Sequence, residues 1–208
     1  KARLFRQYPI GEIASHVLGY IGRINERDVE RIEAEGLEAN YKGSDHIGKT
    51  GLEQSYERQL HGVTGYEQVE VDAGGRGVRT LLRTAPTSGN NLVLNLDLRL
   101  QEMAEGLFGD KRGALVAIEP ATGGVLAFVS KPGFDPNLFV DGIDPASWEA
   151  LNSSPDRPLN NRALAGLYPP GSTFKPFMAL AALELGKRTT TQAISDPGYF
   201  MFGGHRFR

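Results

Sequence analysis

Hydrophobic and polar positions fall into short stretches. Over residues 25–38, Val29 and Ile32 stand three apart among Glu and Arg, which predicts a short exposed helix with Asn25 as its cap. A second helix fits residues 51–60, where Leu52, Tyr56 and Leu60 recur every four positions and Gly62 supplies a stop. Residues 66–72 then alternate, with Val69 and Val71 against Gln68 and Glu70. Ala73-Gly74-Gly75-Arg76-Gly77 turns the chain into residues 78–82, a hairpin pattern. That glycine cluster joins two strand-like runs and no helix follows it, so it is not a phosphate cradle.

A loop by composition, residues 85–91, marks the best domain boundary, at residue 90. Beyond it Leu92, Leu94 and Leu96 alternate as a strand. Asp97 can cap a helix whose apolar face is Leu100, Met103, Ala104, Leu107 and Phe108. Two apolar runs, 114–118 and 125–129, predict a buried antiparallel hairpin. Residues 131–170 carry seven of the twelve prolines and predict a long, helix-poor connection of the kind that serves function. The closing residues, from Gly198 onward, are aromatic with no helix or strand to end them.

The chain has 208 residues, enough to bury a core without staples, and no cysteine, so no disulfide framework exists. Its 23 Lys and Arg against 25 Asp and Glu leave a net charge of −2, which gives no general attraction to nucleic acid or an anionic membrane. Glycine and proline, 26 and 12 residues, exceed average usage and predict many turns. The first residue is Lys1, and no apolar run of membrane-spanning length occurs. These ends predict a piece of a longer protein, truncated at both sides.

The candidate chemistry lies in Tyr168-Pro169-Pro170-Gly171-Ser172-Thr173-Phe174-Lys175, followed by the apolar run Pro176 to Leu185 and Gly186. That pattern predicts a buried helix with Ser172 in its first turn, where backbone N–H groups are unpaired. Lys175, three residues on, can reach back to the serine hydroxyl along the same face. As a general base it has to be neutral, which requires burial or a neighbouring cation. Pro176 disfavours helical dihedrals at Lys175, so an irregular first turn is expected. A serine followed three residues later by lysine arises by chance roughly once in 200 residues. On spacing alone, a nucleophile with its base and a plain helix cap with a solvated lysine both remain open. Four scattered histidines, His16, His46, His61 and His205, lack ligand spacing and are assigned surface roles. The carboxylates from Glu26 to Glu38 are assigned to a solvated face.

The residues around Ser172 resemble a known family. Pro158-Leu159-Asn160-Asn161-Arg162-Ala163-Leu164-Ala165-Gly166-Leu167 and the Tyr168–Pro176 run are similar to the active-site approach of class B penicillin-binding proteins, in particular the elongation-type members. Residues 112–127 and Gly133-Phe134-Asp135-Pro136-Asn137 resemble the opening strands of that family's transpeptidase domain. Gly48-Lys49-Thr50-Gly51-Leu52-Glu53 and Leu60-His61-Gly62-Val63-Thr64-Gly65 resemble its pedestal.

The resemblance implies an α+β chain. Residues 1–90 would form a pedestal, or dimerisation-type, domain, and residues 91–208 the first, incomplete part of a serine β-lactamase-like transpeptidase domain. It implies that Ser172 attacks the carbonyl of a D-Ala-D-Ala stem peptide, that Lys175 is its base, and that the Ser172 N–H forms half of an oxyanion hole. β-Lactams would acylate the same serine, and no cofactor would be needed. Some elongation-type members carry a structural zinc, for which Asp196 of Asp196-Pro197-Gly198 would be the first ligand; a turn aspartate is the plain alternative. Implied partners are stem peptides, a glycan-polymerising membrane glycosyltransferase and an elongation scaffold bound through the pedestal, with no nucleic acid. The implied location is the bacterial periplasm, with a single inner-membrane anchor outside this chain. Competing readings are a division-type transpeptidase and a non-enzymatic penicillin receptor or scaffold. The family's Ser-x-Asn and Lys-Thr/Ser-Gly motifs lie downstream of the nucleophile, so the look-alikes Ser88-Gly89-Asn90 and Lys49-Thr50-Gly51 are not assigned to catalysis.

Overall fold

The structure, a computed structural model, describes residues 6–207. They fall into two compact units, residues 1–166 and 167–208.

In the first unit, Ala14 (φ 55°) opens the single turn α1 (Ser15–Leu18), and β1 (Ile21–Arg23) follows. Asn25 caps α2 (Glu26–Ala34) reciprocally. Its side chain accepts from the Asp28 N–H, and the Asp28 carboxylate accepts from the Asn25 N–H. The helix expected to reach residue 38 ends at Ala34, because Gly36 takes a left-handed conformation (φ 66°) and Leu37 donates back to the Ile32 carbonyl. A separate turn, α3 (Glu38–Tyr41), leads to β2 (His46–Gly48), which pairs antiparallel with β1. Ile32, Tyr41 and Ile47 form the small core between them, with Ile24 and Leu37 packed on it.

Residues 51–60 likewise form two short helices, α4 (Gly51–Ser55) and α5 (Glu57–His61), broken at Tyr56 (φ −114°) and ended by Gly62. The next hairpin, β3 (Tyr66–Val71) with β4 (Gly77–Thr84), is antiparallel with two bulges, and none of its residues is buried. Its order is local: Arg79 donates to Glu70 at 2.5 Å and Thr80 to Glu67 at 2.7 Å, and Asp72 Oδ1 accepts from the N–H groups of Gly74 and Arg76 in the turn.

The strand expected over residues 92–96 does not form; the run has no regular secondary structure. Asp97 does cap, accepting from the Arg99 and Leu100 N–H groups at the start of α6 (Leu98–Phe108). The face that α6 buries is only partly the apolar one, with Leu100 and Phe108 half-buried. Gln101, Ala104 and Glu105 are buried, while Met103 and Leu107 are 60% and 80% exposed. Gln101 explains the rotation. In the antiparallel pair β5 (Gly113–Ile118) and β6 (Val125–Lys131), its amide bonds both the N–H and the C=O of Phe128, at 2.7 and 2.8 Å, as a further strand would. The hairpin expected to be buried is half so: Ala127 and Val129 on β6 are fully covered, while Leu115, Val116 and Ile118 on β5 are exposed.

The long connection after residue 131 contains helices that its prolines hid. A 3-10 turn over Pro136–Phe139 is capped by Asp135, and α7 (Pro145–Ser153) is capped by Asp144 with Pro145 in its first turn. Another turn, α8 (Arg162–Ala165), is capped by Asn161.

The N-terminal segment is sewn into this framework. The Glu105 carboxylate accepts from the Ala14 N–H and the Gln101 amide, both at 2.8 Å, and faces Lys131 Nζ at 3.5 Å. Tyr20 stacks on Phe139 at 4.0 Å, and Phe134 meets His16 edge-on at 5.1 Å.

In the second unit, a 3-10 turn over Gly171–Phe174 runs into α9 (Lys175–Glu184). The aromatic end that was expected to lack structure forms a small hairpin, β7 (Phe200–Phe202) with β8 (His205–Phe207), with the Arg206 guanidinium 4.1 Å from the centre of the Tyr199 ring. Antiparallel hairpins and separate helices throughout make this an α+β chain.

Candidate active site

Ser172 stands in the 3-10 turn and not within α9. Gly171 takes φ 53°, a left-handed value that a glycine adopts without strain, and it turns the chain off Pro169-Pro170. The Thr173 N–H donates to the Pro170 carbonyl at 3.2 Å, the Thr173 hydroxyl donates to the same oxygen, and the Lys175 N–H closes onto the Ser172 carbonyl. In a 3-10 turn, residues three apart eclipse, so Ser172 and Lys175 project from one edge. The Ser172 N–H has no backbone acceptor among the described residues, as the first donors of a helical turn do not. Pro176, in the first turn of α9, is tolerated there, and Lys175 keeps helical dihedrals (φ −59°, ψ −39°). The irregularity expected at Lys175 falls one turn earlier, in the 3-10 segment.

The helix behind the serine is not buried as expected. No residue of α9 is covered, and Phe177, Met178 and Leu180 are each more than half exposed. Within residues 167–208 its main neighbour is the 3-10 turn itself. Asp196 makes an Asx turn, its Oδ1 accepting from the Gly198 N–H at 2.8 Å. Among the described residues, no group of three or more His, Asp or Glu side chains is placed to hold a metal. Asp196 alone is one donor where tetrahedral zinc needs four.

Both look-alike motifs serve packing. Lys49 pairs with Asp28, Thr50 precedes α4, and Gly51 sits at φ 60° against the backbone of Val17 and Gly19. Burial alone would raise the Asp28 pKa, but the Lys49 ammonium, the Asn25 N–H and Arg31 together hold it below the ordinary carboxylate value. A Cβ on Gly89 would stand 1.9 Å from the Leu60 carbonyl oxygen, and the Asn90 N–H donates to the Gln59 carbonyl at 2.7 Å.

Three histidines are less superficial than expected. His16, His46 and His61 are half-buried. His61 stacks on Tyr41 and lies within hydrogen-bond distance of Asn40 and Ser44. Burial lowers the pKa of His16, whose Nε2 is enclosed without a hydrogen-bond partner, and the Arg162 charge adds to that. Sequence reading gave Arg162 no role of its own, yet it is 9% exposed, just ahead of the serine-bearing segment.

The penicillin-binding protein dimerisation domain model matches residues 1–94, and the penicillin-binding protein transpeptidase domain model matches residues 113–207, which includes Ser172 and Lys175. The chain belongs to the penicillin-binding protein family. Peptidoglycan D,D-transpeptidase MrdA of Escherichia coli K12 is 48% identical over 203 residues, 98% of this chain and 32% of MrdA. The Acinetobacter baumannii MrdA is 48% identical over 210 residues, 100% of this chain and 31% of that protein. The penicillin-binding protein chain thus spans about a third of the length of these relatives. Among solved structures, Pseudomonas aeruginosa PBP2 in complex with WCK 5153 is similar with a TM-score of 0.85 at 47% identity, covering 99% of this chain and 41% of that one. Helicobacter pylori PBP2 in complex with MreC also gives 0.85, at 37% identity, covering 98% and 37%.

Proposed function

We propose that this chain is the nucleophile-bearing part of a peptidoglycan D,D-transpeptidase of cell-wall elongation, with residues 1–90 as its pedestal and residues 91–208 as the opening of its catalytic domain. The observation that carries the reading is that Ser172, in the 3-10 turn, and Lys175, three residues on at the start of α9, both lie inside the region matched by the transpeptidase model. Ser172 Oγ attacks the penultimate D-Ala carbonyl while Lys175 Nζ takes the hydroxyl proton and returns a proton to the departing D-alanine amine. The unpaired Ser172 N–H faces the developing oxyanion. D-Alanine leaves, and the acyl group passes to the amine of a neighbouring stem peptide. A β-lactam ring opens on the same oxygen.

The MreC complex of the Helicobacter relative supports an elongation scaffold as partner, and the resemblance adds a membrane glycosyltransferase. No helix among the described residues is long and apolar enough to cross a membrane, and the proposed location is periplasmic, on a membrane-anchored protein. Zinc at Asp196 remains a proposal that needs three donors from elsewhere. Metal analysis of the full-length protein and its Asp196→Ala variant tests it, with equal zinc content refuting it.

Fluorescent penicillin tests the central reading in the full-length protein. Label on Ser172, absent in Ser172→Ala, is the expected result. Undiminished labelling of that variant overturns it.

A further inference from the structure

The turn that carries Ser172 is held by a side chain as well as by its backbone, and every group involved lies within residues 167–208. The Pro170 carbonyl accepts twice from one residue: the Thr173 N–H donates to it at 3.2 Å, and the Thr173 hydroxyl donates to the same oxygen. A carbonyl oxygen has two lone pairs, so Thr173 occupies both. A threonine hydroxyl closes readily on a carbonyl three residues back, because its branched side chain is confined to few rotamers.

The second bond gains its importance from Gly171, which lies between its ends. Gly171 stands at φ 53°, but a glycine adopts negative φ about as readily, so the residue does not by itself keep the turn in this form. The peptide that Gly171 orients carries the Ser172 N–H, the donor assigned to the oxyanion, and a rotation there also redirects the Ser172 side chain. On the near side the Pro170 ring fixes its own φ, at −72°. On the far side Pro176 has no N–H, so no α-helical bond runs from residue 176 back to the Ser172 carbonyl, and the Lys175 N–H closes onto it instead. The Ser172 hydroxyl has no hydrogen-bond partner among the described residues, so its placement follows that of its backbone. Without the Thr173 hydroxyl, the Pro170 carbonyl keeps the Thr173 N–H alone, and the peptide ahead of Gly171 is free to rock.

We propose that Thr173 is a positioning residue for acylation: its hydroxyl, through the Pro170 carbonyl, holds Gly171 left-handed and so aims Ser172, without touching substrate. This rests on the reading of Ser172 as nucleophile.

The test is stopped-flow acylation of the full-length protein by fluorescent penicillin, separating non-covalent binding from the acylation rate constant, with thermal melting in parallel. Thr173→Val keeps the branched shape and loses the hydroxyl. It is expected to lower the acylation rate constant about tenfold, with binding and melting temperature nearly unchanged, since small displacements of reacting groups cost up to about a hundredfold. Thr173→Ala, which also lacks the hydroxyl, is expected to fall as far and serves where the valine variant does not fold. Thr173→Ser keeps the hydroxyl and is expected to acylate close to the parent rate. A Thr173→Val or Thr173→Ala protein that acylates at the parent rate overturns the proposal. So does a Thr173→Ser protein as slow as those two, which assigns the effect to the methyl group, and so does a loss that only tracks the folded fraction. Penicillin found on a residue other than Ser172 in the parent protein instead overturns the underlying reading, which mass spectrometry of the labelled peptide distinguishes.

Discussion

Tyr8 and Asn137 hold each other by two hydrogen bonds across 129 residues of chain. The Tyr8 N–H donates to Asn137 Oδ1 and the Asn137 amide donates to the Tyr8 carbonyl, each at 2.9 Å. The Tyr8 hydroxyl is occupied too, donating to Glu53 and accepting from the Ile21 N–H. Burial first, then the Glu53 charge, raises the pKa of that phenol well above its ordinary value. An Asn137→Ala substitution is expected to remove about 1–2 kcal/mol, the net worth of two part-buried hydrogen bonds, in urea denaturation of the full-length protein. Hydrogen exchange at the Tyr8 amide should accelerate at the same time. Unchanged protection there refutes the linkage.

Lys49 belongs to stability and not to chemistry. Lys49→Met leaves the mostly covered Asp28 carboxylate with only the Asn25 N–H and the more distant Arg31, and should cost about 1–3 kcal/mol, while penicillin acylation proceeds at the parent rate. Adding Asp28→Asn should recover part of the loss, because the stranded charge is gone. A slowed acylation step at full folded fraction would overturn that assignment.

Ser88-Gly89-Asn90 has the same status. Gly89→Ala brings a methyl group onto the Leu60 carbonyl and should destabilise by about 3 kcal/mol, read as a lowered melting temperature. Ser88→Ala is expected to leave both melting and acylation as they were, which a catalytic serine would not.

His16 makes stability pH-dependent. Burial, with the Arg162 charge adding to it, holds its folded pKa below the ordinary 6.5, so between those two values the unfolded chain binds a proton that the folded chain does not. Its contribution is fully present above about pH 6.5 and is lost as the pH falls through the folded value. His16→Gln should flatten the slope of stability below pH 6.5 in denaturant titrations. An unchanged slope shows that His16 is not its source.

What the chain discloses along its length follows the range of the forces involved. The caps at Asn25 and Asp97 were legible because they act within three residues, and the hairpins at 66–84 and 113–131 because each joins two neighbouring runs through a short glycine-rich turn. The spacing of Ser172 and Lys175 was legible too, since a 3-10 and an α-helical turn both place residues three apart on one side. The proline content of residues 131–170 reads as helix-poor, yet Pro145 after Asp144 starts α7. The buried face of α6 was misjudged because Gln101 finds its partner 27 residues away, in the backbone of Phe128. Arg162 gave no signal at all, for its partners are carbonyl groups, which every residue carries.

The long reach from Tyr8 to Asn137 also bears on the order of assembly. At a synthesis rate of some 5–20 residues per second, the segment at Tyr8 waits on the order of ten seconds for the residue that will receive its backbone. During that interval the pedestal's first residues can be seated only by neighbours already made, among them Glu53. The two family domain regions matched in this chain are thus stitched by a seam that closes late, and the first of them remains unsealed until the opening strands of the second have emerged.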